Sequence, residues 1–393
     1  MRFDFADPEF RRDPWPAYEA LRRAGGVEFS PDTGCYLVTS HAGVKAGLTH
    51  SDLAADYPLR TSRQLFGPNM LDTDGTLHRT LKRLVNPFFG ASSVNRLIPS
   101  LIEPVVRETV EQLADKAGEP FDFIDVVARH VPYVIMTSLM GIPAEDVGRL
   151  YQTIRPIVGV LDYPPPPDRG PAEQARDELN KYFLEMLDTP PSEGGQDTII
   201  NQLAGLVEAD SLSRAHALSS VLLMLVAGTE TSISAISNIM LCMLRWPEAS
   251  RYPVESVVRE SLRLEPPLHS VLRFAAKKLE IDGRTIARKR PVLLVLASAN
   301  RDEAVFPDPD RFDPGRSFRQ TMQFGVGSHA CPGSYLAERE FTLLFTALRQ
   351  RFTIAAADPD APDTVGHVFR RPPSLPVTAR EIDQPSDTTG SED

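Results

Sequence analysis

The chain has 393 residues, of which 42% are hydrophobic, enough to bury a large core, and its 42 basic against 53 acidic residues give a net charge of −11. That balance favours solubility and excludes nucleic acid as the main partner. Its cysteines, Cys35, Cys242 and Cys331, stand far apart and match no paired zinc spacing, which excludes a disulfide scaffold and a cysteine-rich zinc module.

In chain order, the N-terminus MRFDFADPEFRRDPWPAYEALRR is charged from its second residue and has no apolar core of the kind a secretion signal or membrane anchor needs. A cytoplasmic protein without a membrane partner is expected. Helical apolar spacing covers 92–117, 125–140, 172–188, 212–244, 253–264 and 334–351. Proline clusters at 163–171, 189–195, 265–267 and 306–315 punctuate these segments. Short β-like runs lie at GCYLVTS (34–40), LEIDGRTI (279–286) and PVLLVLAS (291–298), and the Asp-Gly step of the second predicts a hairpin. The polar end, DQPSDTTGSED (383–393), reads as disordered. Strands and helices do not alternate, so a doubly wound sheet is disfavoured and the fold class expected is mainly α with small β-sheets, one domain over 1–382.

The 212–244 segment is mainly apolar, about 50 Å long as a helix at 1.5 Å per residue, and reads VAGTETS at its centre. Gly228 there costs about 1 kcal/mol relative to Ala, and Glu230 puts a carboxylate among apolar neighbours. Either Glu230 faces a solvated groove and Thr229, Thr231 and Ser232 bond back to the preceding turn, or Gly228 admits a close neighbour while an acid and a hydroxyl move protons in a cavity. In RESLRLEPP, Glu260 and Arg263 share a helix face three residues apart and form a carboxylate–guanidinium pair, a pattern common on ordinary surfaces.

The loop FGVGSHACPG (324–333) places Cys331 directly against the start of a helix. Helix-terminal N–H groups and glycine-rich backbone lower a thiol's pKa there, which predicts a thiolate. A nucleophile needs an oriented base; His329 is badly placed for that, leaving His78 or His269. Zinc lacks partner cysteines, the glycines lack dinucleotide spacing, and a haem iron needs only this one protein ligand on its side. A buried inert cysteine is the remaining alternative.

AGTET, ESLR and FGVGSHACPG, in that order, resemble the cytochrome P450 superfamily, the haem-thiolate monooxygenases. Phe324, Gly325, Gly327, His329, Cys331 and Gly333 fill every defined position of that family's cysteine loop. DPWPAYEALR, DGTLHRTLKRLVNPFF, VLRFA and ANRDEAVFPDPDRFDP extend the likeness over nearly the whole chain, and the length resembles that of soluble bacterial members.

The resemblance implies a P450 fold with haem between the long central helix and the cysteine loop, and Cys331 as iron ligand. It implies His78, Lys82, Arg273 and His329 at the haem propionates, with Phe324, Gly327 and Ala227 also in the cofactor site. Glu230 and Thr231 become the catalytic acid–alcohol pair, Glu260 and Arg263 a structural pair. Lys82 departs from the usual Arg and cannot make a bidentate contact. The stretch RWPEASRYPVESVVRE (245–260) is shorter than usual.

The implied cofactor is haem b, with O2 as co-substrate and electrons ultimately from NAD(P)H through a separate ferredoxin or flavodoxin and its reductase. A donor surface is expected at Arg79, Lys82, Arg83 and Arg339. The expected substrate is a hydrophobic small molecule of natural-product metabolism, held by residues 57–73, the YPPPP region, Leu223–Ala227, Leu268–Leu272 and the surroundings of Phe369 in a monomeric enzyme. Hydroxylation is the expected outcome. Desaturation, ring coupling or rearrangement are alternatives, with a non-catalytic haem sensor or a cysteine hydrolase further off.

Overall fold

The computed structural model of the chain describes residues 7–162, 165–189, 198–358 and 363–382. The polar end at 383–393 and part of the YPPPP region fall outside them. At the centre runs Arg214–Arg245, the central helix, started by Ser213, whose Oγ accepts the N–H of His216 at 3.2 Å. Its polar residues can be buried because their hydroxyls bond one turn back: Thr229 to Leu225 O and Thr231 to Ala227 O at 2.6 Å, Ser237 to Ile233 O at 2.7 Å. It is apolar enough to cross a membrane by composition, yet 83% of that window is buried inside the protein, as in the core helix of a globular fold.

Around it pack His130–Met140, Gly170–Asp188, Ile199–Glu208 and the ExxR helix, Val254–Leu264. One apolar cluster runs through these elements and on to Ser334–Arg351, the cysteine helix. The predicted helix at 92–117 is a correction. It divides into Ala91–Leu97, a π turn at Ile98–Ile102 and Glu103–Ala114, because Pro99 and Pro104 carry no N–H for a regular ladder. The 125–140 segment likewise opens with a π turn, Ile124–Ala128, before the helix proper.

The sheets are small. Val27–Ser30, Cys35–Val38, Pro291–Leu294, Val271–Ala275 and Leu53–Ala54 form the largest, in that spatial order. Pro120–Asp122, Pro376–Glu381 and Phe352–Ala356 form another. The hairpin expected from Asp-Gly is present, with Asp282 at φ 47° and Gly283 at φ 73°, the pair of left-handed residues that a type I′ turn needs. The short stretch after the central helix is closed by Trp246 stacked on Phe312, centroids 5.0 Å apart.

The C-terminal loop 365–371 is clamped from several sides. Val365 and Arg371 form an antiparallel bridge, and Asn238 of the central helix donates to Arg370 O at 3.0 Å. Asp162, the residue that follows Val147–Leu161, accepts the N–H groups of His367 and Val368 at 2.8 and 2.7 Å. Gly366 has φ 87°, and a Cβ there meets Asp162 Oδ2 at 2.7 Å, so both backbone and space require glycine.

Candidate active site

The cysteine loop is held by its own backbone. Cys331 N–H donates to Phe324 O at 2.9 Å and Ala330 N–H to Gly327 O at 3.2 Å, while Gly325 and Gly327 take φ 64° and 80°. A Cβ on Gly327 meets Leu48 O at 3.2 Å. Thus the glycines serve the turn and its close approach to His41–Thr49. The N–H groups of Gly333 and Ser334 point at the sulfur, as a helix start allows.

Burial nevertheless outweighs these donors and the Lys82 ammonium, so the thiol pKa is raised, a correction to the lowered value expected from the loop alone. The residue keeps an exposed face although protein rings it closely. No histidine acts on the sulfur: His78 turns Nδ1 to Met70 O at 2.8 Å and Nε2 to Ser328 O at 3.1 Å, and His329 Nε2 meets Asp74 at 2.9 Å. His269 lies in another cluster, beside Tyr18 and Trp15. A protonated, baseless thiol is a poor nucleophile but a proper metal ligand, since a bound cation deprotonates it.

A cradle of histidine and arginine side chains adjoins the loop. The rings of His78 and His329 lie 4.0 Å apart, and Asp74 also accepts the N–H groups of Ala55 and Asp56 at 2.7 and 3.0 Å. Burial works against the Asp74 carboxylate, but His329 and these N–H groups overcome it and hold its pKa at about 2. Arg273, 3% exposed on strand Val271–Ala275, has only the Leu272 carbonyl as a hydrogen-bond partner and no carboxylate at ion-pair distance among the described residues. Burial and the nearby Arg60 guanidinium lower its pKa to about 10. A buried guanidinium with a single carbonyl partner leaves donors unsatisfied, so the cradle suits a further acceptor such as a carboxylate.

Lys82 sits elsewhere than the cradle: its ammonium donates to Ser328 O and to Ala330 O, the latter at 2.8 Å, across the back of the cysteine loop. Of the expected donor surface, Arg79 and Arg83 are exposed one turn apart on Gly75–Phe89, the histidine helix, whereas Arg339 is half-buried.

Glu260 and Arg263 form a fully buried bidentate pair, Nε to Oε2 at 2.7 Å and Nη2 to Oε1 at 2.8 Å. Arg263 Nη1 also donates to the carbonyls of Asn300 and Pro309 at 2.8 Å. The pair ties the segment before the cysteine loop to the ExxR helix, far from an ordinary surface contact.

On the central helix Ala227 is exposed and Gly228 and Thr231 are half-buried, an open strip on an otherwise enclosed element. What presses on Gly228 is the Met136 side chain, 2.8 Å from the position of a Cβ, so the close neighbour is a packing residue of His130–Met140. Glu230 is 2% exposed and meets Arg371 Nη1 at 3.4 Å. Burial raises its pKa, and Arg371, then Arg129 and Arg155, pull it down. Tyr133 Oη is buried close to Thr229 without a partner in hydrogen-bond alignment.

The arrangement fits a haem: a lone thiol at a helix start, an unpaired buried guanidinium among histidines for carboxylates, and an open strip on an apolar helix. The sequence reading missed Arg371 and Arg60, arginines that no local pattern distinguishes from surface charge.

Comparison with known proteins gives matching findings. Residues 35–252 and 253–377 match the family described as cytochrome P450, with the seam inside the short stretch before the ExxR helix. "Cytochrome P450 monooxygenase PikC" of Streptomyces venezuelae is 28% identical, covering 97% of this chain and 95% of that protein. "6-deoxyerythronolide B hydroxylase" of Saccharopolyspora erythraea is 29% identical over 92% of this chain and 94% of its own length. The crystal structure of CalO2 superposes with a TM-score of 0.87 at 28% identity, covering 96% of this chain and 98% of CalO2.

Proposed function

This chain belongs to the cytochrome P450 family and is a P450 monooxygenase, and on that footing we propose that it binds haem b through Cys331 and oxidises a hydrophobic small molecule. The observation that carries the cofactor assignment is the pairing of Cys331, at its helix start, with the buried Arg273, which has no direct ion pair among the described residues, and with His78 and His329. When bound, haem supplies oxygen activation, to which a thiolate ligand adds electron density.

The protein's own residues hold and move the protons. Thr231 donates its hydroxyl hydrogen to Ala227 O, so its lone pairs face the open strip as acceptors. Glu230 keeps a proton more readily than an exposed acid, and Arg371 draws it toward ionisation. That balance suits a group that gives up a proton and takes another from water.

Hydroxylation is the outcome favoured, because 6-deoxyerythronolide B hydroxylase is named for one and the Glu230–Thr231 pair is intact here. The substrate site is drawn from residues 57–73, Leu223–Ala227, Leu268–Leu272 and Phe369, largely apolar segments. Electrons come from a separate ferredoxin or flavodoxin docking over Arg79 and Arg83.

The test is the carbon monoxide spectrum of the reduced protein beside a Cys331→Ala variant. A long-wavelength Soret band typical of thiolate ligation, lost in the variant, is expected. A protein without haem, or a band indifferent to Cys331, overturns the assignment.

A further inference from the structure

We infer that Arg60 is a cofactor-binding residue, a second guanidinium that closes on a haem carboxylate together with Arg273, while Lys82 serves the cysteine loop. The inference rests on the haem reading above and assigns to Arg60 the charge-neutralising task that the family resemblance gave to Lys82.

The geometry begins with the strand that carries Arg273. Leu53–Ala54 pairs with Phe274 and Ala275, which brings the following segment alongside. Tyr57 then stacks on Phe274, centroids 3.7 Å apart and planes 16° from parallel, and this fixes the start of the turn that ends at Arg60. Tyr57 O accepts Arg60 N–H at 3.1 Å. Arg60 is thus placed on the segment that runs alongside the Arg273 strand, and its charge lowers the Arg273 pKa against the pull of Asp74 and Asp72.

Arg60 is 12% exposed at its side chain and lies 2.9 Å from Asp72, but that oxygen is out of hydrogen-bond alignment and Arg60 Nη1 is buried with no partner. Asp72 lies beside Arg60, Asp74 is taken up by His329 and by the N–H groups of Ala55 and Asp56, and Arg273 has no carboxylate at ion-pair distance among the described residues. An incoming carboxylate accepts from the orphaned Nη1 and from Arg273 at once, satisfying a buried donor.

Lys82 is committed in the other direction. Its ammonium bridges the carbonyls of Ser328 and Ala330, and it is the side chain whose charge acts on Cys331. With Lys82 taken up by the loop, the carboxylate falls to Arg60 and Arg273.

The experiment compares haem with its dimethyl ester, in which both propionate charges are removed. Wild-type protein and the variants Arg60→Gln, Arg60→Lys and Lys82→Gln are loaded with each, and release to an excess of a haem-scavenging apoprotein is timed. The ratio of ester to free-acid release rates is read for each protein. We expect this ratio to fall on the order of tenfold in Arg60→Gln. An intermediate fall is expected in Arg60→Lys, which keeps the charge but loses the fork. Lys82→Gln is expected to match wild type.

A ratio in Arg60→Gln equal to wild type overturns the inference, as does a collapse in Lys82→Gln alone. If Arg60→Gln does not load, the Arg60→Lys ratio decides, and a wild-type ratio there overturns it. A wild-type protein that binds neither pigment overturns the haem reading, and this assignment with it.

Discussion

Glu260 and Glu230 are both buried carboxylates on helices of the same core, and they are held in opposite ways. Glu260 accepts from Arg263 at both oxygens and, at Oε1, also from Arg316 and Asp313 N–H at 3.0 and 2.8 Å. Glu230 has one guanidinium at 3.4 Å and an environment that favours its neutral form. The difference separates a structural charge from a working one. The first is over-determined by its donors; the second is held loosely, and burial raises its pKa.

The comparison breaks first at its rigid end. Arg263→Ala leaves Glu260 with fewer donors and several carbonyls without theirs. The expected loss is about 3–5 kcal/mol, as for other buried pairs stripped of one member. Thermal denaturation of whatever soluble protein is obtained checks it; a change below about 1 kcal/mol contradicts the structural role.

Glu340, on the cysteine helix, sharpens the contrast, since it is 2% exposed and its Oε1 has no partner. Burial raises its pKa to about 8 from an ordinary 4.5. Between those values the folded protein keeps a proton that the unfolded chain has lost. Stability is therefore full below about pH 4.5 and declines as pH rises toward 8, by on the order of a few kcal/mol. Glu340→Gln removes the titration, so its melting temperature is expected to fall less than wild type between pH 5 and pH 8. Parallel curves refute this.

At the working end, Glu230→Gln is expected to leave the fold intact and to lower product formation on the order of 10²-fold. More hydrogen peroxide per NAD(P)H consumed is expected alongside it. Because an acid donates only when protonated, wild-type turnover should fall as pH rises through the raised pKa of Glu230, and the variant should lack that limb. A variant with wild-type coupling and the same pH profile removes Glu230 from proton supply.

Elements with strong local signals were readable from the sequence. The central helix, expected at 212–244, runs Arg214–Arg245 because its apolar run is unbroken and Ser213 caps it, and the cysteine helix has the expected bounds. Val147–Leu161 and His41–Thr49 went unread, their periodicity interrupted by Gly148, Pro156 and Gly159 in one and by Gly43 and Gly47 in the other. Strand Pro120–Asp122 has no local signal because its partner is Pro376–Thr378, far along the chain. The site divides in the same way: Cys331, Glu230 and the Glu260–Arg263 pair stand in recognisable spacing, while Arg60 and Arg371 acquire meaning only from what the fold sets beside them.

For anyone seeking variants with a different substrate range, the clamped C-terminal loop advises where not to randomise. Phe369 invites saturation mutagenesis, yet it shares a short closed segment with Gly366, whose backbone and space admit no side chain, and with Arg371, whose guanidinium meets Glu230. A library spread over 365–371 would therefore lose members to the Asp162 clasp and to altered proton supply before any of them reported on substrate fit.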